Sequence, residues 1–182
     1  VYSEATSTIM ESMLQDAVKS QKTSKFYGNL QTINPSLATN VQWAGKTGTT
    51  DDYTDVWMML STPSVTLGGW AGHDDNSPMT SNSGYINNAA YIAQLVNAIN
   101  AADPNIFGPG QKFTDPNTDP NVTKSKVLVS TGEKSGKVTV KLANGKTQEV
   151  NLGGETTTSF WATKAGAPTT TYDFSIGGSA SD

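Results

Sequence analysis

The segment Trp43-Ala44-Gly45-Lys46-Thr47-Gly48-Thr49-Thr50 decides how the rest of the chain is interpreted. It begins as an apolar β-strand and then presents one ammonium group, several hydroxyls and a glycine. The Lys46 ammonium supplies a positive field, and threonine hydroxyls can donate hydrogen bonds to a carboxylate. Gly48 has no Cβ, so another backbone can approach the strand closely. The segment therefore predicts a strand edge that holds an anion and can receive an extended peptide as an added strand.

Lys-Thr-Gly is one of three motifs that mark serine-acylating penicillin-interactive enzymes, beside Ser-x-x-Lys and a Ser-x-Asn type motif. The flanking residues extend the match over GKTGTTDDYTDVW at 45–57, TPS at 62–64 and GWAGHDDN at 69–76. Residues 1–105 thus resemble the transpeptidase domain of class A penicillin-binding proteins. The resemblance implies an α+β fold with helices packed on an antiparallel sheet, as in penicillin-binding proteins and serine β-lactamases.

The resemblance also implies a role for each residue of the motif. Lys46 and Thr49 are the expected catalytic residues. Lys46 tunes the site electrostatically and hydrogen-bonds towards the serine of the second motif, and the Thr49 N–H supplies half of an oxyanion hole. The expected substrate-binding residues are Thr47, Gly48, Thr49 and Thr50, with the Thr47 and Thr49 hydroxyls on the carboxylate of a D-Ala-D-Ala peptide or a β-lactam. No cofactor and no metal is expected.

The other two motifs do not occur in the 182 residues. No serine has a lysine three residues later, and no serine has an asparagine two residues later. Thr123-Lys-Ser-Lys126 and Thr131-Gly-Glu-Lys134 have the first spacing, but with threonine. Two explanations remain: the chain is one part of a longer transpeptidase, or it is a non-catalytic relative. The intact Lys-Thr-Gly-Thr-Thr run favours the first, and this chain alone is expected to be inactive.

The leading hypothesis is the C-terminal part of a bifunctional class A penicillin-binding protein, which would cross-link peptidoglycan at the extracytoplasmic face of the bacterial cell membrane. Its expected partners are an upstream part of the same polypeptide with the two missing motifs, peptidoglycan stem peptides and β-lactam antibiotics. Membrane attachment would come only from an upstream anchor, and a glycosyltransferase domain would also lie upstream. The alternative is a non-catalytic binding or structural module of the cell envelope, suggested by the threonine-rich C-terminal region.

Composition excludes several other classes of protein. The formal net charge is −4 and the sequence contains no arginine, so a nucleic-acid binder is not expected. There is no cysteine, which excludes disulfides and thiol chemistry. No apolar run approaches the roughly 20 residues of a membrane-spanning helix.

Apolar residues at three- and four-residue spacing predict two helices. The first spans Ser3 to about Gln21, with Ser3 as N-cap or with Thr8 and Glu11 as a later capping box. The second spans Ser81 to Ala102, is capped by Ser81 or Ser83, and is stopped by Asp103-Pro104. Residues 22–40 are polar and predict a surface connection with a turn at Asn34-Pro35.

Three strands are predicted between these helices, over Val41–Thr49, Thr54–Ser61 and Val65–Ala71. Short polar segments separate them, which favours an antiparallel meander. The middle strand contains the nearly continuous apolar run Val56-Trp57-Met58-Met59-Leu60, which predicts burial on both faces.

Composition also predicts the domain boundaries. Residues 1–107 are interpreted as the C-terminal half of a transpeptidase domain, 108–123 as a linker, and 124–182 as a small β domain with a disordered tail. Asn144-Gly145 predicts a hairpin, and Phe160 and Trp161 are either core residues or an exposed pair that binds sugar or a partner. The predicted strands of this domain are 126–129, 137–142, 147–152, 156–163 and 170–176.

Two polar features lie just after the third predicted strand. His73 is the only histidine, and a polar residue at a strand end is favoured over a general base. Asp74-Asp75-Asn76 offers oxygen ligands but lacks the spacing of a calcium loop, so a surface turn is favoured there.

Overall fold

A computed structural model describes residues 2–20, 24–79, 83–129, 132, 136–141, 144–152 and 160–164. The chain divides into two compact units, Val1–Asp115 and Pro116–Asp182. The first unit contains helices and an antiparallel sheet, which confirms the α+β class.

Helix α1 spans Glu4–Lys19 and begins where the first of the two predicted caps places it. The Ser3 hydroxyl accepts a hydrogen bond from the Thr6 N–H at 3.3 Å, which satisfies one of the free N–H groups of the first turn. Glu4 in the first turn and Lys19 in the last turn both interact favourably with the helix dipole. The alternative start at Thr8 is therefore wrong.

The connection predicted over residues 22–40 is also wrong, because two short helices form there: α2, Phe26–Ile33, and α3, Pro35–Asn40. The physical reason is burial of the few apolar residues of this polar segment, namely Phe26, Leu30, Leu37 and Ala38. Asn34 is the N-cap of α3, and its side chain accepts a hydrogen bond from the Leu37 N–H at 3.0 Å. Pro35 follows at the first helical position, where no N–H is needed.

The sheet has three strands, β1 (Ala44–Thr49), β2 (Asp55–Ser61) and β3 (Thr66–Gly72), in the order β1-β2-β3. Both pairs are antiparallel and regular, with Lys46 opposite Met59 and Trp57 opposite Trp70. The predicted meander is confirmed, although β1 begins three residues later than expected.

Helix α4, Ser83–Ala102, packs across β2 and β3 on one face of the sheet. Ile92 and Val96 are fully buried there, and the Asn88 amide donates a hydrogen bond to the Val56 carbonyl at 3.2 Å. The helix stops before Asp103, as predicted, and the Asp103 N–H still bonds to the Ile99 carbonyl. The proposed cap at Ser81 lies outside the described residues, and the side chain of Ser83 does as well.

The apolar core of the first unit is centred on Trp43, which is completely buried. Its ring contacts Phe26 edge-on at 5.4 Å between centroids and Phe107 at 5.2 Å. The indole N–H donates to the Leu37 carbonyl at 3.4 Å. Trp43 therefore joins α2, α3 and the segment after α4 directly in front of the Lys-Thr-Gly strand.

Burial of β2 on both faces is not observed in the described part of the chain. Val56, Met58 and Leu60 are buried under α4, whereas Trp57 and Met59 are each 45% exposed. Successive side chains of a strand point to opposite faces, and the helices of this unit cover one face. The prediction of double burial is wrong for this chain as described.

Part of the predicted linker packs on the first unit. Phe107, just before it, is buried against Trp43. Within the linker, the Gly110 N–H bonds to the Asn40 carbonyl at 3.0 Å and the Phe113 N–H bonds to the Gln42 side chain at 2.7 Å. The division between the two units falls after these contacts, at Asp115.

The second unit contains β4 (Val122–Ser125), β5 (Gly136–Lys141), β6 (Thr147–Leu152) and β7 (Phe160–Thr163). Strands β5 and β6 form the predicted hairpin through Asn144-Gly145, where Gly145 has a φ of 78°. Strand β4 pairs with β7 and ends just before the strand predicted at 126–129. Within that predicted strand, Val127 and Leu128 form β-bridges and are buried.

The question of Phe160 and Trp161 is answered in part. Trp161 is half-buried, with the Lys124 ammonium 4.4 Å from its ring, and the Phe160 side chain is not described. The strand predicted at 170–176 and the predicted tail lie outside the described residues. The all-β character of this region therefore stays a prediction.

We expect Gly45→Ala to destabilise the first unit. An added Cβ would clash with the Met59 carbonyl and would lie 2.8 Å from Leu60 Cδ2, so the backbone of β2 would have to move. Overpacking of this kind costs about 1–3 kcal/mol, which a urea unfolding curve measures directly. Gly48→Ala is the matched control, because its added Cβ meets Trp57 at 3.3 Å on the exposed face. Equal urea midpoints for the two variants would contradict this account of the β1–β2 contact.

We expect Glu11→Gln to stabilise the protein at neutral pH. The Glu11 Oε2 atom is buried without a hydrogen-bond partner in the described structure, and burial raises the pKa of this carboxyl above its ordinary 4.5. The folded state therefore binds the Glu11 proton more tightly than the unfolded state does. The resulting contribution to the free energy of unfolding is fully present below pH 4.5 and is lost as the pH rises through the raised folded-state pKa.

Glutamine carries no charge at any pH, so the advantage of Glu11→Gln over wild type should grow from acidic to neutral pH. Urea midpoints at both pH values measure it. Glu4→Gln is the control. Glu4 interacts favourably with the N-terminal end of α1, so this variant should be less stable than the wild type at neutral pH. A Glu11→Gln advantage that is equal at both pH values would refute the explanation by burial.

Candidate site at the outer edge of the Lys-Thr-Gly strand

Strand β1 pairs with β2 along one edge, and its opposite edge, here called the outer edge, pairs with no strand in the described part of the chain. The Thr50 N–H donates to the Asp55 carbonyl at 3.1 Å. This bond shows which residues of β1 direct their backbone groups towards β2. In an antiparallel pair the residues alternate between facing the partner strand and facing away. The backbone groups of Lys46 and Gly48 therefore face β2, whereas those of Thr47 and Thr49 face the outer edge.

Side chains of β1 also alternate between the two faces of the sheet. Lys46 lies opposite Met59 on the exposed face, and Thr47 and Thr49 point to the face that carries the helices. Lysine and threonine side chains can therefore meet only around the outer edge. They do so at Thr47: the Lys46 ammonium donates to the Thr47 carbonyl at 2.9 Å and lies 3.5 Å from the Thr47 hydroxyl.

Thr49 is exposed and presents a backbone N–H and a carbonyl at the same outer edge. A strand edge with both groups can accept an extended peptide through main-chain hydrogen bonds. Neighbouring Gly48 lies opposite Trp57, and a Cβ at Gly48 would lie 3.3 Å from Trp57 Cβ. The structure thus places Lys46, Thr47 and Thr49 together at one edge, while Gly48 accommodates the indole behind them.

The Thr50 hydroxyl, unlike those of Thr47 and Thr49, makes hydrogen bonds within the turn that follows β1. It accepts a hydrogen bond from the Asp55 N–H at 2.8 Å and lies 2.7 Å from the Thr54 hydroxyl. These contacts close the turn between β1 and β2. The structure therefore gives Thr50 a role in the turn, and its part in binding a substrate stays a prediction.

Sequence reasoning missed Asp55, which links all three strands at this end of the sheet. Its Oδ1 accepts a hydrogen bond from the Trp70 indole N–H at 2.8 Å, and its Oδ2 lies 3.3 Å from the Thr54 hydroxyl. The turn beside it holds Asp52 and Tyr53 in the left-handed region, with φ of 58° and 57°. Residues other than glycine adopt this backbone conformation at an energetic cost, and such residues cluster at functional sites.

The loop after β3 packs on this turn, since the Met79 N–H donates to the Tyr53 carbonyl at 3.0 Å. Within the loop, His73 Nδ1 lies 2.9 Å from the Ser77 hydroxyl, and the Ser77 N–H donates to Asp75 at 3.0 Å. Hydrogen bonds from the hydroxyl and N–H of Ser77 lower the pKa of the Asp75 carboxyl, and electrostatic attraction to His73 lowers it further. This geometry matches the predicted strand-end histidine followed by a surface turn.

Three shallow clefts formed by described residues are lined by other parts of the chain: α2, the loop around His73 and the first half of α1. The described residues contain no group of three or more histidine, cysteine or acidic side chains that could hold a metal ion. Among the described helices, none is both long enough and apolar enough to cross a membrane.

Comparison with protein-family models gives no match, and comparison with curated proteins gives none either. Among solved structures, the chain is similar to the 2.6 Å crystal structure of penicillin-binding protein 1A from Haemophilus influenzae, with 21% sequence identity and a TM-score of 0.41. The match covers 89% of this chain and 20% of that one, so the chain spans about a fifth of that protein's chain. An assignment of function must therefore rest on the residues at the outer edge of β1.

Proposed function

We propose that the outer edge of β1 is one wall of an acyl-transfer site for peptides that end in D-Ala-D-Ala, within a peptidoglycan transpeptidase that β-lactams acylate. One observation carries this proposal: the Lys46 ammonium lies at the outer edge beside Thr47, next to the exposed backbone of Thr49. A cation, hydroxyls and an open strand edge at one place suit an extended peptide with a terminal carboxylate.

Each group then has a chemical task. The positive charge of Lys46 stabilises the negative charge that develops when an amide carbonyl is attacked. The N–H of Thr49 donates to that carbonyl oxygen, and the Thr49 carbonyl accepts the N–H of the bound peptide. The hydroxyls of Thr47 and Thr49 bind the terminal carboxylate, and Thr50 borders the bound substrate at the turn that follows β1.

The nucleophile in this proposal comes from outside the 182 residues, because neither Ser-x-x-Lys nor Ser-x-Asn occurs in them. We place both motifs on an upstream segment of the same polypeptide, which would also carry the membrane anchor and a glycosyltransferase domain. Cross-linking would then take place on the extracytoplasmic face of the bacterial cell membrane.

Fluorescent penicillin tests this function. The 182-residue chain is incubated with the label alone, and again after mixing with the proposed upstream segment that carries Ser-x-x-Lys and Ser-x-Asn. We expect covalent label in the mixture, attached to the upstream segment, and none on the chain alone. Absence of label in the mixture would refute the transpeptidase and leave a non-catalytic module of the cell envelope as the better explanation.

A further inference from the structure

The peptide bond between Thr49 and Thr50 carries one of the backbone groups that β1 presents at its outer edge. A trans peptide points its C=O and its N–H in opposite directions. The Thr50 N–H donates to the Asp55 carbonyl of β2 at 3.1 Å, so the Thr49 carbonyl on the same peptide points away from β2. This hydrogen bond at the end of the β1–β2 ladder therefore sets the direction of the Thr49 carbonyl.

The N–H of Thr49 belongs to the preceding peptide bond and is fixed by a different contact. The carbonyl of that peptide faces β2, where Gly48 lies opposite Trp57 within the regular ladder. The interior of the ladder thus orients the Thr49 N–H, whereas the contact at its end orients the Thr49 carbonyl. A change at Asp55 should therefore affect the carbonyl more than the N–H.

The turn at this end of the ladder has a strained backbone. Asp52 and Tyr53 are consecutive residues with φ of 58° and 57°, and such conformations persist only where surrounding contacts maintain them. The Tyr53 N–H donates to the Thr50 carbonyl at 3.2 Å, and the Tyr53 carbonyl accepts from the Met79 N–H at 3.0 Å. The strained residues are thus bonded directly to Thr50, which shares its peptide bond with Thr49.

The Asp55 carboxylate ties this turn to the sheet. Its Oδ1 accepts a hydrogen bond from the Trp70 indole N–H at 2.8 Å, which anchors it to β3. Its Oδ2 lies 3.3 Å from the Thr54 hydroxyl and 3.4 Å from the Thr50 hydroxyl, at the two ends of the turn. Hydrogen bonds to an ionised acceptor are stronger than those between neutral groups. Loss of the carboxylate should therefore let the turn relax and carry the Thr50 N–H with it.

We infer that Asp55 is a positioning residue, which directs the Thr49 carbonyl to accept an amide N–H of the substrate. This inference rests on the proposed function, in which the Thr49 carbonyl accepts the N–H of the bound peptide. Asp55 acts through Thr50 and does not itself touch the substrate. Its consequence is specificity: the site favours peptides and β-lactams that carry an amide N–H beside the bond that is attacked.

Two β-lactams test this specificity. Benzylpenicillin carries a side-chain amide N–H beside its β-lactam ring, whereas penicillanic acid has the same fused rings and carboxylate without that amide. Mass spectrometry measures the rate constant of acylation by each compound in the protein that includes the proposed upstream segment. Asp55→Ala should slow acylation by benzylpenicillin about tenfold, the effect of losing roughly one hydrogen bond, and acylation by penicillanic acid about twofold or less. An equal loss for both compounds, or a loss for neither, would overturn the inference.

Two further variants accompany this comparison. Trp70→Phe removes the indole N–H that anchors Asp55 and should give a smaller loss in the same direction, so it decides the question if Asp55→Ala does not fold. Asp51→Ala is the matched control, because Asp51 is an exposed carboxylate of the same turn that makes none of the hydrogen bonds described above. It should react with both compounds as fast as the wild type.

Hydrogen exchange in the 182-residue chain separates this inference from the proposed function. In Asp55→Ala the Thr50 N–H should exchange about tenfold faster than in the wild type, whereas the Gly48 N–H should change little. An unchanged rate at Thr50 would overturn the inference even where both β-lactams react. A wild-type protein that reacts with neither β-lactam would reject the proposed function, while faster exchange at Thr50 would still keep Asp55 as the residue that positions the Thr49 carbonyl.

Discussion

Lys46→Ala in the protein that includes the proposed upstream segment, here called the extended protein, should slow acylation by benzylpenicillin by roughly a hundredfold to a thousandfold. Lys46 is the only lysine between Lys25 and Lys112, and its ammonium lies 2.9 Å from the Thr47 carbonyl at the outer edge. Removing it would take away the cation that β1 supplies to stabilise the charge that develops during attack. The side chain is exposed, so the loss of rate should come without a comparable loss of stability.

The measurement is the second-order rate constant of acylation, followed by mass spectrometry. Lys112→Ala is the matched control, because Lys112 is also exposed and lies far along the sequence from the motif. It should react as fast as the wild type. Equal rate constants for the two variants would remove Lys46 from the site.

Trp43→Ala should destabilise the first unit by about 3–5 kcal/mol, the range measured for large-to-small substitutions of buried aromatic residues. Trp43 is completely buried and its ring contacts both Phe26 and Phe107. Its loss would leave a cavity where α2, α3 and the segment after α4 meet. A change of this size is a large fraction of the stability of an ordinary domain.

Urea unfolding followed by far-UV circular dichroism measures this effect. Trp57→Ala is the control, because it removes the same side chain from the exposed face and should cost the isolated chain much less. If the two variants had the same urea midpoint, Trp43 would not be the centre of the core.

The periodicity of apolar residues and the local cap and turn signals were sufficient to predict much of the fold of the first unit. The three- and four-residue spacing in α1 and α4, the Ser3 cap and the Asp103-Pro104 stop all reflect contacts close in sequence. The order of the three strands follows from their short connections. These features depend on local geometry, which a single sequence records directly.

The missed helices depend on burial, which the sequence records less directly. Residues 26–33 contain glycine, asparagine and threonine, and the segment is helical because Phe26 and Leu30 are buried in the core. Asn34-Pro35 was interpreted as a turn, yet asparagine followed by proline is also the signal of a helix start. Tertiary burial outweighed weak local propensity here.

The sequence indicated the residues of the candidate site but not their geometry. The motif indicated Lys46 and Thr49, but only the register of β1 and β2 places their groups at the outer edge. Asp55 and Trp70 are 15 residues apart, and their hydrogen bond follows from the pairing of β2 with β3. Contacts of this kind have no signature in a single sequence.

Hydrogen exchange at the Thr49 amide is the most direct measurement of whether the outer edge of β1 binds substrate. Two-dimensional NMR of the extended protein would compare this amide before and after acylation by benzylpenicillin. We expect exchange of the Thr49 N–H to slow about tenfold or more in the acyl-enzyme. The Gly48 N–H, which the ladder directs towards β2, should change little. An acylated protein in which the Thr49 amide exchanges as fast as before would contradict the account.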